Sequence, residues 1–173
     1  MEEYQFTLRY QLSEQNNDHD ALIELLLENG CDDSLVGCGI PGRLALKFCR
    51  DAESATQALL SALQDVKRAI PDARLIEVVP DLVGLSDIAD IVGVSRQNMR
   101  KLMLSHGASF PLAVHEGSAS VWHLAEVLVW LESRGYDLEP HMIETAQVAQ
   151  DINLVKATSK LGEVNPEWLA LVI

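Results

Sequence analysis

The chain has 173 residues, of which 48% are hydrophobic, so it is long enough to bury one core or two small ones. Its formal net charge of −13 argues against a generic nucleic-acid binder, which usually carries a basic surface. No run of about eighteen apolar residues predicts a membrane helix. The first ten residues lack the basic start and apolar run of a signal peptide, and we therefore expect a cytoplasmic protein with no membrane partner.

The cysteines and histidines predict no metal site. Cys31, Cys38 and Cys49 are spaced by seven and eleven residues, which fits neither a disulfide framework nor the CxxC pairs of a zinc site. We expect them to be reduced, partly buried packing residues. No histidine has a second ligand at metal spacing on one element. The sequence contains no GxSxG or HExxH motif and no glycine-rich phosphate loop. We therefore expect that the protein is not an enzyme, and that it has no catalytic residue and no cofactor.

The first 80 residues predict a mixed α+β domain, because segments with alternating apolar residues are interleaved with amphipathic helices. Asn29-Gly30 is a typical helix stop, and Ile40-Pro41-Gly42 is a turn sequence. The predicted elements are a strand over 4–12, a helix over 18–28, strands over 33–39 and 43–49, a helix over 51–69, and a strand over 74–79.

The resulting order, βαββαβ, is that of the ferredoxin-like arrangement, in which two helices cover one face of a four-stranded antiparallel sheet. The other face would be open and would carry Arg9, Lys47 and Cys49. A second protomer is the usual cover, so we expect a homodimer. The boundary of this domain lies at Pro80-Asp81-Leu82, with almost no linker, and we expect the two domains to be held rigidly.

Residues 84–105, GLSDIADIVGVSRQNMRKLMLS, predict two helices that cross at a tight turn. The first would begin with Ser86 as its N-cap, and Gly93 would reverse the chain in a backbone conformation with positive φ. Ser95 would cap the second helix. The side chains expected to form the shared core are Ile88, Ala89, Val92, Val94, Met99 and Leu102.

The residues left on the outside of the second helix predict DNA recognition. Arg96 and Arg100 could contact guanine edges, Gln97 could pair with adenine, and Lys101 would meet phosphate. The chain has no acidic residue between Asp90 and Glu116, so this helix lies in a local window of positive charge on an acidic body. The alternative is that the two helices form only a packing or protein-contact element.

Residues 110–131, FPLAVHEGSASVWHLAEVLVWL, predict a β-hairpin that turns at Glu116-Gly117-Ser118. Trp122 would close the hairpin onto the core, and a helix over 123–134 would follow, with Leu124, Val127, Leu128 and Leu131 inward.

Together, residues 81–134 resemble the winged helix-turn-helix of the excisionase, AlpA and MerR-type DNA-binding proteins. The resemblance rests on VGVSRQNMRKL, Phe110-Pro111, Gly117 and the series Trp122, Val127, Trp130 and Leu131. It implies that a recognition helix over 95–105 enters the major groove, and that a wing over 115–118, with His115, lies near the backbone or the minor groove.

The remaining residues, 135–173, predict a helical tail. The stripe Met142, Ala146, Ala149, Ile152 and Val155 on a helix over 141–159 would need a partner surface. The hydrophobic end NPEWLALVI suggests docking within a dimer.

We therefore predict a prokaryotic or phage-encoded transcriptional regulator that binds double-stranded DNA. Its DNA-binding residues would be Ser95, Arg96, Gln97, Arg100, Lys101 and His115. The expected organisation is a ferredoxin-like domain over 1–80, a winged helix-turn-helix over 81–134 and an oligomerisation tail over 135–173. Two alternatives remain: an acidic antitoxin or adaptor that binds a protein partner and autoregulates its operon, and a regulator that senses a small ligand.

Overall fold

The structure, a computed structural model, describes residues 1–172 as a mixed α+β protein with seven helices and six strands in that range. The elements are β1 (Glu2–Gln11), α1 (His19–Glu28), β2 (Ser34–Gly37), β3 (Arg43–Ala52), α2 (Ala55–Ala69), β4 (Arg74–Val79), β5 (Leu82–Val83), α3 (Leu85–Val92), α4 (Arg96–Ser105), β6 (Trp122–His123), α5 (Leu124–Glu132), α6 (Pro140–Thr158) and α7 (Pro166–Val172).

The main sheet is antiparallel, with strand order β2-β3-β1-β4. Alternation along β1 and β3 sends one set of side chains inward, and Phe6 stacks on its cross-strand neighbour Phe48 with ring centroids 5.2 Å apart. α1 and α2 belong to the core on this inner face. The other face is open, as predicted: Arg9, Lys47 and Cys49 on it are exposed.

The second helix begins later than the sequence predicts. Asp51 is not helical, because β3 continues its pairing with β1 as far as Ala52, which lies opposite Glu2. α2 then begins at Ala55, after Ser54 has capped it by accepting a hydrogen bond from the backbone N–H of Gln57 at 3.2 Å. The strand predicted over 33–39 is likewise shorter, since β2 ends at Gly37.

A buried arginine on β3 ties together α2 and the loop that connects α1 to β2. Arg50, 8% exposed, donates to both carboxylate oxygens of Asp33 at 2.6 and 2.9 Å and to Asp65 at 2.9 Å. Its remaining donors reach Ser61 Oγ at 2.9 Å and the carbonyl of Gly30 at 2.7 Å. Burial lowers the pKa of Arg50, but the bonds to the two carboxylates outweigh it and raise that pKa overall. We call these groups the Arg50 cluster. The sequence placed Asp33 at the start of a predicted strand and gave no sign of the cluster.

We call the main sheet with α1 and α2 the first unit. The second unit is built from β5, β6 and helices α3 to α5. Leu124, Val127, Leu128 and Leu131 of α5 are all fully buried, as their spacing predicts. Ser86 is not the N-cap of α3, which begins one residue earlier, at Leu85. The reason is that the Asp87 carboxylate accepts a hydrogen bond from the backbone N–H of Gly84 at 2.8 Å and so satisfies the helix start.

Helix α6 packs on both units of its own chain. Ile143 and Ala146 are buried in the core of the second unit, whereas Ala149 is buried in the core of the first. The partner surface that this apolar stripe was predicted to need is therefore supplied, for most of its length, by the same chain. Only Val155, 69% exposed, lies free of both cores.

Polar contacts from α6 also fix the junction between the two units. Asn153 donates to the carbonyl of Val78 at 2.8 Å and to Asp81 at 2.7 Å, and it accepts from the Val78 N–H at 2.9 Å. Asp81, only 2% exposed, lies 2.6 Å from the Nδ1 atom of His123. The Val79–Pro80 peptide bond between the units is cis. These contacts give the short junction a definite geometry.

Candidate nucleic-acid interface

The turn between α3 and α4 has the geometry that the sequence predicts. Gly93 has a φ of +72°, the left-handed region that glycine enters without steric cost. The backbone N–H of Val94 donates to the carbonyl of Ala89 at 2.9 Å and closes the turn. Ser95 then caps α4, since its Oγ accepts from the N–H of Asn98 at 3.1 Å. The Ser95 hydroxyl is therefore already engaged within the protein.

Helix α4 has one buried side and one exposed side. Met99 is fully buried, and Leu102 and Met103 pack partly against the same core. The four predicted reading residues, Arg96, Gln97, Arg100 and Lys101, are all exposed. None of the four makes a side-chain hydrogen bond or ion pair with any residue up to Val172, so their polar groups are directed only to solvent.

The angular positions of these residues define one face. With about 100° of rotation per residue, Gln97, Arg100 and Lys101 fall within an arc of about 100°. Arg96 lies at the edge of that arc, next to Arg100. The spacing i, i+3 and i+4 of the first three residues is the one by which a helix presents side chains to one groove.

One further residue belongs to this face and was not predicted. Leu104 follows Gln97 by seven residues, so it lies on the same side of α4, two turns along. Its side chain is 63% exposed. Only polar residues were predicted as DNA contacts, although the i+7 spacing from Gln97 was available as a signal for Leu104.

An aromatic cluster anchors the C-terminal end of α4 to α5. His106, the residue that ends α4, meets the Trp130 ring edge-on at 5.8 Å, and Arg134 lies over the same ring at 4.2 Å. Arg134 also donates to Ser109 Oγ at 2.9 Å. An arginine that the sequence analysis did not single out is thus held beside the end of α4.

The predicted hairpin is present in a reduced form. His115 and Val121 form one antiparallel bridge, and the chain reverses between them, but the two extended arms are not continuous strands. The base of the hairpin is fixed because Trp122 is buried, meets Phe110 edge-on at 6.0 Å and donates from Nε1 to the carbonyl of Pro111 at 3.2 Å.

The hairpin carries the last predicted DNA contact at the bridged position just before its tip. His115 is exposed, and its ring lies against Gly117, where an added Cβ would come within 2.5 Å of Nε2. Glycine at 117 therefore leaves room for the imidazole. No hydrogen bond to the His115 side chain is made by any residue from 1 to 172, and the ring nitrogens remain available to solvent.

The cysteines correspond to the packing prediction at two positions. Cys31 is buried in the core of the N-terminal sheet, and Cys38 is partly buried against the same core, whereas Cys49 is exposed. All three are free thiols. Burial, with a smaller contribution from Asp65, raises the pKa of the Cys31 thiol to about 11. Across residues 1–172, no three histidine, cysteine or acidic side chains lie close enough together to hold a metal ion.

Comparison of the chain with known proteins matches no protein family, no curated protein and no solved structure. None of the helices described up to Val172 is both long enough and apolar enough to cross a membrane. Any function must therefore be argued from the side chains of the chain itself.

Proposed function

We propose that this protein is a sequence-specific DNA-binding transcriptional regulator that acts as a homodimer. In this proposal residues 81–134 are a winged helix-turn-helix of the excisionase, AlpA and MerR type. The observation that carries it is the exposed face of α4, on which Gln97, Arg100 and Lys101 stand without partners beside a fixed turn and cap.

The chemistry of that face suits a duplex. Arginine and glutamine present donors and acceptors that pair with guanine and adenine edges in the major groove, and lysine neutralises phosphate. The acid-free window from Ile91 to His115 keeps carboxylates of the same segment away from the phosphates. Because the rest of the chain is acidic, nonspecific binding would be weak, and affinity would depend on these few contacts.

For the first 80 residues we propose a ferredoxin-like domain. The element order β1-α1-β2-β3-α2-β4 and the strand order β2-β3-β1-β4 support it. The fold hosts many functions and identifies none by itself. Its place in the proposal is to carry the reading unit rigidly, through α6 and the contacts of Asn153.

The homodimer is supported by the C-terminal segment, residues 154–172. Trp168 is 69% exposed and Leu171 is 84% exposed, and α7 has no buried residue. A helix of seven residues is marginal in water without tertiary contacts, so α7 gains stability only from a partner surface. The segment contains two lysines and two glutamates and is formally neutral, which suits contact between two copies of an otherwise acidic chain.

The DNA-binding proposal is tested by fluorescence anisotropy with a labelled duplex from the region upstream of the gene, at several salt concentrations. We expect the wild type to bind it more tightly than a scrambled duplex, and Arg96→Ala/Arg100→Ala to lose at least about tenfold in affinity. The salt slope of the variant should fall by about one for each phosphate contact that is lost.

The matched control is Arg43→Ala/Arg74→Ala, which makes the same change in net charge at the ends of β3 and β4. This control should bind like the wild type. Equal loss in both double variants would reduce the interaction to general electrostatics. Failure of the wild type to prefer either duplex, even at low salt, would overturn the proposal.

The dimer is tested by sedimentation velocity over a range of concentrations. Trp168→Ala/Leu171→Ala should shift the protein towards monomer, while Leu60→Ala, at an exposed position of α2, should not. A wild-type monomer that co-purifies with a basic protein would favour the alternative, an acidic antitoxin or adaptor that uses its DNA-reading unit for autoregulation.

A further inference from the structure

The exposed face of α4 contains one apolar side chain among its polar ones. Leu104 is 63% exposed, and with about 100° per residue it falls near the middle of the arc occupied by Gln97, Arg100 and Lys101. Single exposed leucines are common on protein surfaces, so the position matters more than the exposure.

The packing of α4 leaves Leu104 without a role in the core. Met99, Leu102 and Met103 make the contacts of this helix with the second unit, and Leu104 belongs to neither the buried set nor the partly buried set of that core. It is directed away from the protein, along the face that would meet DNA.

The major groove offers an apolar side chain one apolar feature on the base edges. That feature is the 5-methyl group of thymine; the other groups on the base edges there are hydrogen-bond donors and acceptors. A leucine that lies among side chains bonded to base edges would displace water from polar atoms without replacing its hydrogen bonds, unless a thymine methyl group lies opposite it.

We infer that Leu104 is a specificity-determining residue that selects thymine through contact with its 5-methyl group. This inference rests on the proposed function and names the base that the end of the reading face recognises. Leu104 lies seven residues after Gln97, which corresponds to about 10 Å along the helix axis. The selected thymine would therefore lie within about three base pairs of the base that Gln97 contacts.

The test uses a duplex that the wild-type protein enriches from a random double-stranded library. The same duplex is then synthesised with every thymine replaced by deoxyuridine, which keeps the base pairing and removes only the 5-methyl groups. Affinities of both duplexes are measured for the wild type, for Leu104→Ala and for the control Leu60→Ala, whose exposed leucine lies on α2.

We expect deoxyuridine to weaken wild-type binding by about fourfold for each contacted thymine, the effect of losing one methyl-sized apolar group. Leu60→Ala should show the same loss. Leu104→Ala should bind the thymine duplex more weakly than the wild type does and should not distinguish it from the uracil duplex.

Two outcomes would overturn the inference. Equal wild-type binding to both duplexes would show that no methyl group is read. A Leu104→Ala variant that still distinguishes the duplexes as the wild type does would assign the methyl contact to another residue, and any affinity it loses on both would indicate that Leu104 contacts the sugar instead. If no duplex is enriched at all, the proposed function fails and the inference falls with it, whereas in the other cases the function stands.

Discussion

Replacing Arg50 with methionine removes the donors of the Arg50 cluster while keeping an unbranched apolar stem above Phe48, over which the guanidinium lies at 4.9 Å. The substitution leaves the carboxylates of Asp33 and Asp65, which both accepted hydrogen bonds from the guanidinium, without a positively charged partner. The side chains of Asp33 and Asp65 are 29% and 16% exposed, so water reaches the first more easily than the second.

Breaking a buried ion pair by removing one partner costs about 3–5 kcal/mol. Because Asp33 keeps some access to solvent, we expect the lower end of that range, about 3 kcal/mol, for Arg50→Met. For a chain of this size the loss corresponds to a fall in Tm of roughly 6–12 °C.

The measurement is urea and thermal unfolding followed by far-ultraviolet circular dichroism. The control is Arg9→Met, because Arg9 pairs with Glu77 at 2.6 Å with a side chain that is 52% exposed. The control should lose less than about 1 kcal/mol. Adding Asp33→Asn and Asp65→Asn to Arg50→Met should restore part of the stability, since the uncompensated charges disappear. Equal losses for Arg50→Met and Arg9→Met would refute the structural reasoning.

Three smaller predictions concern the turn, a thiol and the junction. Gly93→Ala should lower the free energy of unfolding in urea by about 1–2 kcal/mol, because alanine is strained in the left-handed backbone conformation. Open space surrounds the position, so no steric clash adds to this loss. Gly107→Ala should lose much less, because the backbone there is not left-handed. Burial raises the pKa of the Cys31 thiol from the ordinary value of 9.0 to about 11, so the folded protein binds this proton more tightly than the unfolded chain does. The stability that Cys31 contributes should therefore be constant below pH 9.0 and be lost as the pH rises towards 11. Tyr10, whose pKa is also raised by burial, lowers the stability of both proteins at alkaline pH. An alkaline titration of unfolding in which stability falls less steeply in Cys31→Ala than in the wild type would agree; parallel curves would not. Asn153→Ala removes the contacts to Val78 and Asp81, so tryptophan fluorescence and circular dichroism should report separate transitions in the variant and one shared transition in the wild type.

Local sequence patterns predicted an element well where the residues that begin or end it lie within the element or directly beside it. The strand at β4 has the predicted bounds, and Gly93 and Ser95 have the predicted backbone and cap. The turn at Gly93 and the cap at Ser95 depend only on residues close in the chain. The start of α2 was misplaced because Asp51 and Ala52 are held in β3 by pairing with a strand some fifty residues away.

Long-range polar contacts could not be read in the same way. Arg50 is separated from Asp33 by 17 residues and from Asp65 by 15, and no periodicity links them. Isolated charges in a sequence are usually solvated, and the predicted strand ended at residue 49. The inward alternation of β3 was therefore not extended to this arginine, which follows Phe48 by two residues. The stripe on α6 showed that a surface was needed to cover it. Amphipathicity does not tell whether that surface belongs to the same chain or to another.

The same limit applies to the candidate interface. Residue types and helical spacing placed the polar residues of α4 on its exposed side, and the structure finds them there. Leu104 was missed because only polar side chains were considered as DNA contacts, although its helical spacing placed it with neither Met99 nor Leu102 of the predicted core. Only the observed packing of Met99, Leu102 and Met103 shows that the core is complete without it.

The path of α6 also constrains how the protein can be made. Ala149 fills part of the core under the N-terminal sheet, and Asn153 bonds to the backbone of β4, although both residues follow that strand by about 70 positions. On the ribosome, at about 5–20 residues per second, the sheet would be synthesised roughly 4–14 s before the helix that completes its core. The N-terminal sheet is therefore synthesised first, but its core is complete only after α6 has been synthesised. The apolar surface of the sheet needs protection until then.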